Sequence, residues 1–153
     1  MTKHFTLADA SAASGIGRVD LTNWKHRGLM NGFGEHPDPT PWMFRFSDLC
    51  AIYLTNVVRP FSPDVAAALR YGHAYGPVLA AHLLGRGGAL QWRFIALVTP
   101  PGAQGFDTLP LTSAADLAGE QFDLALVLDF ASLARSAPAS LRDAAAKLQP
   151  GEE

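Results

Sequence analysis

Residues 23 to 30 read Asn-Trp-Lys-His-Arg-Gly-Leu-Met, so Lys25, His26 and Arg27 sit together between a tryptophan and a glycine. Such a cluster can neutralise a polyanion, as Lys and Arg do on a phosphate backbone, or it can solvate one face of an ordinary helix. Other groups with chemical potential are scattered. His73 and His82 lie nine positions apart, not the three or four that align two metal ligands on one helical face, and Cys50 is the chain's single cysteine. That excludes an intrachain disulfide and a CxxC-type zinc site. Tyr71, His73, Tyr75, His82 and Trp92 are candidates to line a ligand site, although Tyr71 and Tyr75, four apart, read better as a helix interface. Gly85-Arg86-Gly87-Gly88 lacks the lysine and the flanking strand of a phosphate loop, Ser132 and Ser136 have no activating histidine nearby in sequence, and Asp123 and Asp129 bracket one strand. The expectation is a protein that is not an enzyme and that uses neither metal nor cofactor.

Charged residues make up 17% of the 153 positions, below the roughly 25% usual for soluble domains, so apolar surface and self-association are expected. Residues 1–60 carry six Lys/Arg against five Asp/Glu, net +1, whereas residues 61–153 carry six against nine, net −3. His4, His26 and His36 also fall in the first part. This polarity alone does not identify a nucleic-acid binder. No apolar run approaches the roughly 20 residues of a bilayer span, and MTKHFTLADA lacks the basic-then-apolar order of a signal peptide, so a soluble, cytoplasmic protein without membrane contact is expected.

The elements that must position the cluster follow from local signals. Thr6 with Asp9 three residues on predicts a capped helix to about Ser14, Gly15 a residue of positive φ, and Ile16 an apolar plug at the corner. A second helix from Arg18 to about Arg27 puts Leu21 and Trp24 on one face and Arg18, Thr22, Lys25 and His26 on the opposite one, with Leu29 closing its end after Gly28. Residues 31–46 read as a hairpin-like loop ending in a short strand. Ser47 and Asp48 read as the cap of a third helix, with Leu49, Ile52, Tyr53 and Val57 at helical spacing. Ser62-Pro63-Asp64 starts a long helix to about Leu84, which Gly72, Gly76 and Pro77 are expected to kink or divide. QWRFIALVT and FDLALVLDF read as paired strands, LPLT as extended, SAADLAGE as a turn or two of helix, and SLARSA and PASLRDAAAKL as helix; PGEE at the end reads as a tail. The fold class is therefore α+β.

The order helix, Gly-Ile turn, helix ending in Arg-Gly-Leu-Met, loop, Arg-Phe-Ser and helix resembles the winged helix-turn-helix of the MerR family of transcription regulators, shared with phage excisionases. FTLADASAASGIGRVDLTNWKHRGLM is similar to that family's run of an aromatic, Thr-(Ile/Leu), a small residue, an acid, Ala, Gly-Val/Ile, Leu-x-x-aromatic, a basic pair and Gly-Leu-Leu. RFSDL is similar to a shortened Arg-(Tyr/Phe)-Ser-x-x-Asp-Leu, and the resemblance covers residues 4–58. Asp20 departs from the family's usual hydroxyl, and the loop from Asn31 to Pro41 is richer in proline and less basic.

The resemblance implies a DNA-binding domain at residues 1–60, a linking or dimerising helix at 61–86, and a small α+β dimerisation or effector unit at 87–150. It implies a recognition helix bearing Arg18, Thr22, Asn23 and Lys25, with His26 and Arg27 near phosphate at its end and Arg45 at the base of the wing. Asn23 would read an adenine edge if it faces the groove, while Trp24, Phe44 and Phe46 belong to the core. A homodimer on double-stranded DNA is the expected assembly, through the 62–84 helix and the α+β half. The rival expectation is a winged helix turned protein-docking module, as in a phage assembly or DNA-packaging complex; a weaker one adds a small apolar effector near Tyr75 and Trp92.

Overall fold

The computed structural model describes residues 3–35, 41–89, 93–104, 106–119 and 121–148. His36 with residues 37–40 of the expected hairpin, Gln91, Trp92 and the PGEE stretch lie outside the described residues. The chain is mixed α+β. Helices α1 (Leu7–Ser14), α2 (Arg18–His26), α3 (Phe46–Val58) and α4 (Val65–Leu83) come first, then strands β1 (Phe94–Thr99), β2 (Asp107–Leu111) and β3 (Leu124–Asp129), then helices α5 (Phe130–Ser136) and α6 (Ala139–Ala146). Single 3-10 turns occupy Arg59–Phe61, Gly87–Ala89 and Ala114–Leu117. The sheet is antiparallel in the order β2-β1-β3, so the two strands read from sequence do pair, with Ile95 opposite Leu128 and Leu97 opposite Leu126.

Alternation along β1 explains how the sheet is covered. Ile95 and Leu97 join one large core that runs from Phe5 to Ala145 through all the helices, while Ala96 and Val98 join Leu111 in a small cluster on the other face. Both faces of β1 are thereby buried, as suits a central strand. No described helix is long and apolar enough to cross a membrane.

Two expectations are corrected. The start of α3 is set one step earlier than Ser47: the helix begins at Phe46, and the Asp48 carboxylate accepts from the Arg45 N–H at 2.8 Å. Asp48 thus works backwards from the third helical position. More consequentially, α4 is not divided into two pieces: one helix of 19 residues runs through Gly72, Gly76 and Pro77. Pro77 frees the carbonyl of His73, but both residues are exposed, so water can satisfy it.

The glycines are not breaks; they are where α4 meets α3. A Cβ on Gly76 would stand 2.7 Å from the Ala51 Cβ and 2.8 Å from the Ser47 carbonyl oxygen, and one on Gly72 would run into the Ala51 carbonyl and the Thr55 hydroxyl. That hydroxyl is turned onto its own helix, donating to the Ala51 carbonyl at 2.8 Å, so the contact leaves no buried polar group unpaired. Asp64 caps α4 by accepting from the Ala67 N–H at 2.7 Å. The helix expected to link domains therefore packs along α3 of its own chain, burying Ala68, Leu69, Leu79 and Ala80 with it.

Alanine in a helix interior is favoured over glycine by about 1 kcal/mol, yet Gly72→Ala is expected to lower stability by about 1–3 kcal/mol, because overpacking against backbone cannot relax. Gly88→Ala, where a Cβ meets nothing within 4 Å, should leave stability within about 0.5 kcal/mol. Urea unfolding of the two variants beside the parent checks both outcomes.

Candidate nucleic-acid interface

The framework around α2 is built from satisfied caps. Thr6 and Asp9 form a capping box on α1, the Asp9 carboxylate accepting from the Thr6 N–H at 2.8 Å and the Thr6 hydroxyl from the Asp9 N–H at 3.2 Å. Gly15 ends α1 at φ 76° and returns its N–H to the Ser11 carbonyl. Ile16 plugs the corner, and the Asn56 amide donates to the Ser14 carbonyl at 2.9 Å, tying the turn to α3. At the far end of α2, Gly28 at φ 72° donates to the Lys25 carbonyl and Leu29 to the Trp24 carbonyl. This is a Schellman closure, with Leu29 half-buried against the core that contains Trp24.

Burial of Leu21 and Trp24 fixes which side of α2 faces out. Val19, Asn23 and His26, spaced as i, i+4 and i+7, lie along the exposed side, with Val19 73% exposed. Arg18 and Arg27 are exposed and have no ion-pair partner among the described residues. Thr22 is half-buried. Lys25 is not on the outer face as the spacing suggested; it is half-buried, its ammonium 4.5 Å from the centre of the Trp42 ring. Trp42 is itself anchored, its indole N–H donating to the Phe33 carbonyl at 3.0 Å, so the cation–π contact holds Lys25 against the hairpin. Arg59, which sequence reasoning missed, lies over the Trp24 ring at 5.8 Å.

The N-terminal end of α2 is capped by Gly17 without a side-chain hydrogen bond. Its first-turn N–H groups therefore carry the positive end of the helix dipole. Asp20 stands in that first turn, where an acid is stabilising by the same argument. Lys25, His26 and Arg27 close the last turn, so part of the cluster's charge answers the helix's own negative end.

Downstream, Glu35 and Met43 exchange backbone hydrogen bonds at 2.7 and 2.8 Å, and Phe44 pairs with Phe5 in the same way. The hairpin reading thus holds at its base. Arg45 is exposed but paired with Glu35, whose carboxyl the hydrogen bond and charge of Arg45 hold below its usual range. Asp48 beneath is buried, and burial pushes its carboxyl up against the opposing pull of the Arg45 and Gly34 N–H groups and the charges of Arg45 and His73.

The other candidates disperse into packing. The Tyr71 hydroxyl donates to the Phe106 carbonyl at 2.7 Å, the rings of Tyr75 and Phe130 are 6.5 Å apart, and His73 lies 5.1 Å from Phe33. His82 stacks on Phe130 at 6.0 Å, and burial lowers its pKa. Trp92 lies outside the described residues. Asp129 is not paired with Asp123: it binds Arg93 at 2.7 and 2.8 Å and caps α5, while Asp123 accepts from the Gly102 N–H at 3.2 Å. Cys50 is buried, and that burial pushes its thiol far up. Among the described residues, no group of three or more His, Cys, Asp or Glu could hold a metal ion. The hollow between α4, α5 and α6, about 420 Å³, is lined by His82, Leu83, Arg135, Arg142 and three alanines, and Tyr75 does not reach it.

Val19 was missed because an exposed apolar residue gives no signal until the buried stripe is fixed; Leu21 and Trp24 already exclude it from that stripe. In comparisons with known proteins, the chain matches no protein-family model and no curated protein is significantly similar to it.

Because the folded state holds the Asp48 carboxyl above its unfolded value, its contribution to stability is present at low pH and is lost as pH rises through the folded value. Relative to Asp48→Asn, the parent should therefore lose stability between pH ~4, the ordinary carboxylate value, and neutrality. Urea midpoints of both proteins across that interval measure it; parallel curves would remove the assignment.

Proposed function

We propose that α1, α2, the hairpin and α3 form a winged helix-turn-helix, and that the chain is a sequence-specific DNA-binding transcription regulator of MerR-like type acting as a homodimer. The observation that carries this reading is the exposed side of α2. Val19, Asn23 and His26 face outward between Arg18 and Arg27, which have no ion-pair partner among the described residues, on a helix whose ends are fixed by Gly15, Ile16 and the Schellman closure. Placed in a major groove, Asn23 can read an adenine edge and Val19 can meet a thymine methyl. Arg18 beside the open N-terminus of α2, and Arg27 at the other end, can reach phosphates on either side of the groove. One such module has too little area for tight specific binding, and two copies on two half-sites supply the rest.

A second reading, a winged helix used for protein docking in a phage-type assembly or packaging complex, is favoured by a specific observation. Arg45 is charge-compensated by Glu35 and Lys25 is held on Trp42, which leaves few free cations beside a largely exposed Val19.

The two readings part on salt. Fragments selected from genomic DNA should bind the protein with an affinity that falls steeply as salt is added. Arg18→Ala combined with Arg27→Ala should weaken binding uniformly across sequences and reduce the slope of log K against log salt by about 2, one per lost phosphate contact. Fluorescence anisotropy over a salt series measures this. Binding indifferent to salt, or no binding at low salt by a well-folded protein, overturns the DNA reading in favour of docking.

A further inference from the structure

The two outer edges of the sheet are built differently. β2 forms one edge, where the exposed Asp107 and Pro110 interrupt any further pairing, the proline having no N–H to give. β3 forms the other, and its run Leu124-Ala125-Leu126-Val127-Leu128 carries no charge, proline or glycine before Asp129. Among the described residues, no strand pairs with β3 on the side away from β1. Leu124 is 48% and Val127 37% exposed along this edge, two of the four exposed large apolar side chains among the described residues. A straight apolar edge presents unpaired N–H and C=O groups that template another strand, and proteins that stay apart blunt it with charge, proline or a bulge. One edge here is blunted and the other is not.

We infer that the β3 edge is an interface between two copies of this chain, which pair β3 to β3 antiparallel and extend the sheet to six strands. The strand's own sequence argues for a second copy as the occupant. Pairing centred on Leu126 sets Leu124 opposite the partner subunit's Leu128 and Ala125 opposite the partner subunit's Val127, so the run 124–128 meets only apolar positions, while Asp129, whose charge Arg93 already answers, stands opposite the partner subunit's Asp123 at each end. Centring on a residue rather than between two keeps like faces together, so α4 and α5 of both copies cover the same side of the joined sheet. The equivalent pairing of β2 about Leu109 would set Pro110 opposite the partner's Thr108, where the ladder loses a donor. A five-residue ladder is short beside interfaces of about 1,600 Å², so the dimer should dissociate on dilution. This inference deepens the homodimer of the proposed function and rests on it, but it requires no contact with DNA.

Sedimentation velocity on the full chain over a dilution series should show a reversible monomer–dimer equilibrium. Leu124→Lys and Val127→Lys should each raise the dimer dissociation constant by about tenfold or more, since each change counts twice in a two-fold interface, while far-UV circular dichroism stays unchanged. Val19→Lys should leave the dimer intact. Hydrogen exchange on the unaltered protein should show amides of residues 124–128 losing protection as it is diluted, which covers the case of a lysine variant that fails to fold. A parent that is monomeric at every concentration, a dimer that both lysine variants leave intact, or exchange independent of concentration overturns the interface. A dimer that shows this behaviour and binds no DNA supports the interface and overturns the DNA reading alone.

Discussion

The contact on which the rest of the molecule depends is the close approach of α4 to α3 at Gly72 and Gly76. Two helices pack at 8–10 Å when ordinary side chains separate them; here the bare Cα positions of α4 rest on Ala51, Thr55 and the carbonyl oxygens of α3. That closeness makes α3 the centre of the molecule. Its first turn holds the hairpin through Asp48, and Asn56 holds the turn between α1 and α2. It is buried on nearly every side, with Leu49, Ile52 and Leu54 in the core, and it also meets α1 and α6. On its far side α4 carries Tyr75 and His82 to Phe130, so the sheet and α5 are positioned through the same axis.

Given such a frame, the candidate surface on α2 is well placed but not strongly charged. Of the cations that spacing assigned to it, Lys25 and Arg45 are committed within the protein, one to an aromatic ring and one to a carboxylate. The cost of freeing either from its partner offsets part of what a phosphate would give, because each must first give up an attraction it already makes within the protein. Among the described residues, Arg18 and Arg27 have no such competition.

Local chemistry was legible in the sequence, and chemistry between distant residues was not. The Thr6–Asp9 box, the Gly15 turn, the Gly28–Leu29 closure and the strands around Leu97 and Leu126 each declare themselves within a few residues, because caps and alternation are short-range effects. Gly72 and Gly76 were misread for the opposite reason. In isolation a helical glycine costs about 1 kcal/mol and signals a break; its value appears only once Ala51 and Thr55, some twenty residues earlier in the chain, are known to lie against it. Lys25 and Arg45 follow the same pattern, since Trp42 and Glu35 reach them across the hairpin and no periodicity within α2 or α3 announces either. Val19 needed only the buried stripe to be fixed before its exposure followed.

The rigidity of the α3–α4 contact also constrains how the two proposed surfaces would act together. A regulator that reads two half-sites needs a fixed distance between its recognition helices, and a flexible link between α2 and the dimer contact would spread that distance over many spacings. Here the path from α2 runs through the Asn56 anchor to α3, across the glycine contact to α4, through Tyr75 and His82 to Phe130, and so to β3 immediately before it. The first step is a hydrogen bond from half-buried Asn56 to the turn before α2, and the later ones are packed contacts between helices and rings, which deform little. Two copies joined at β3 would thus hold their α2 helices at one separation. Loosening at Gly72 would then act beyond stability: it would blur the half-site spacing that the dimer tolerates while leaving every side chain on α2 unchanged.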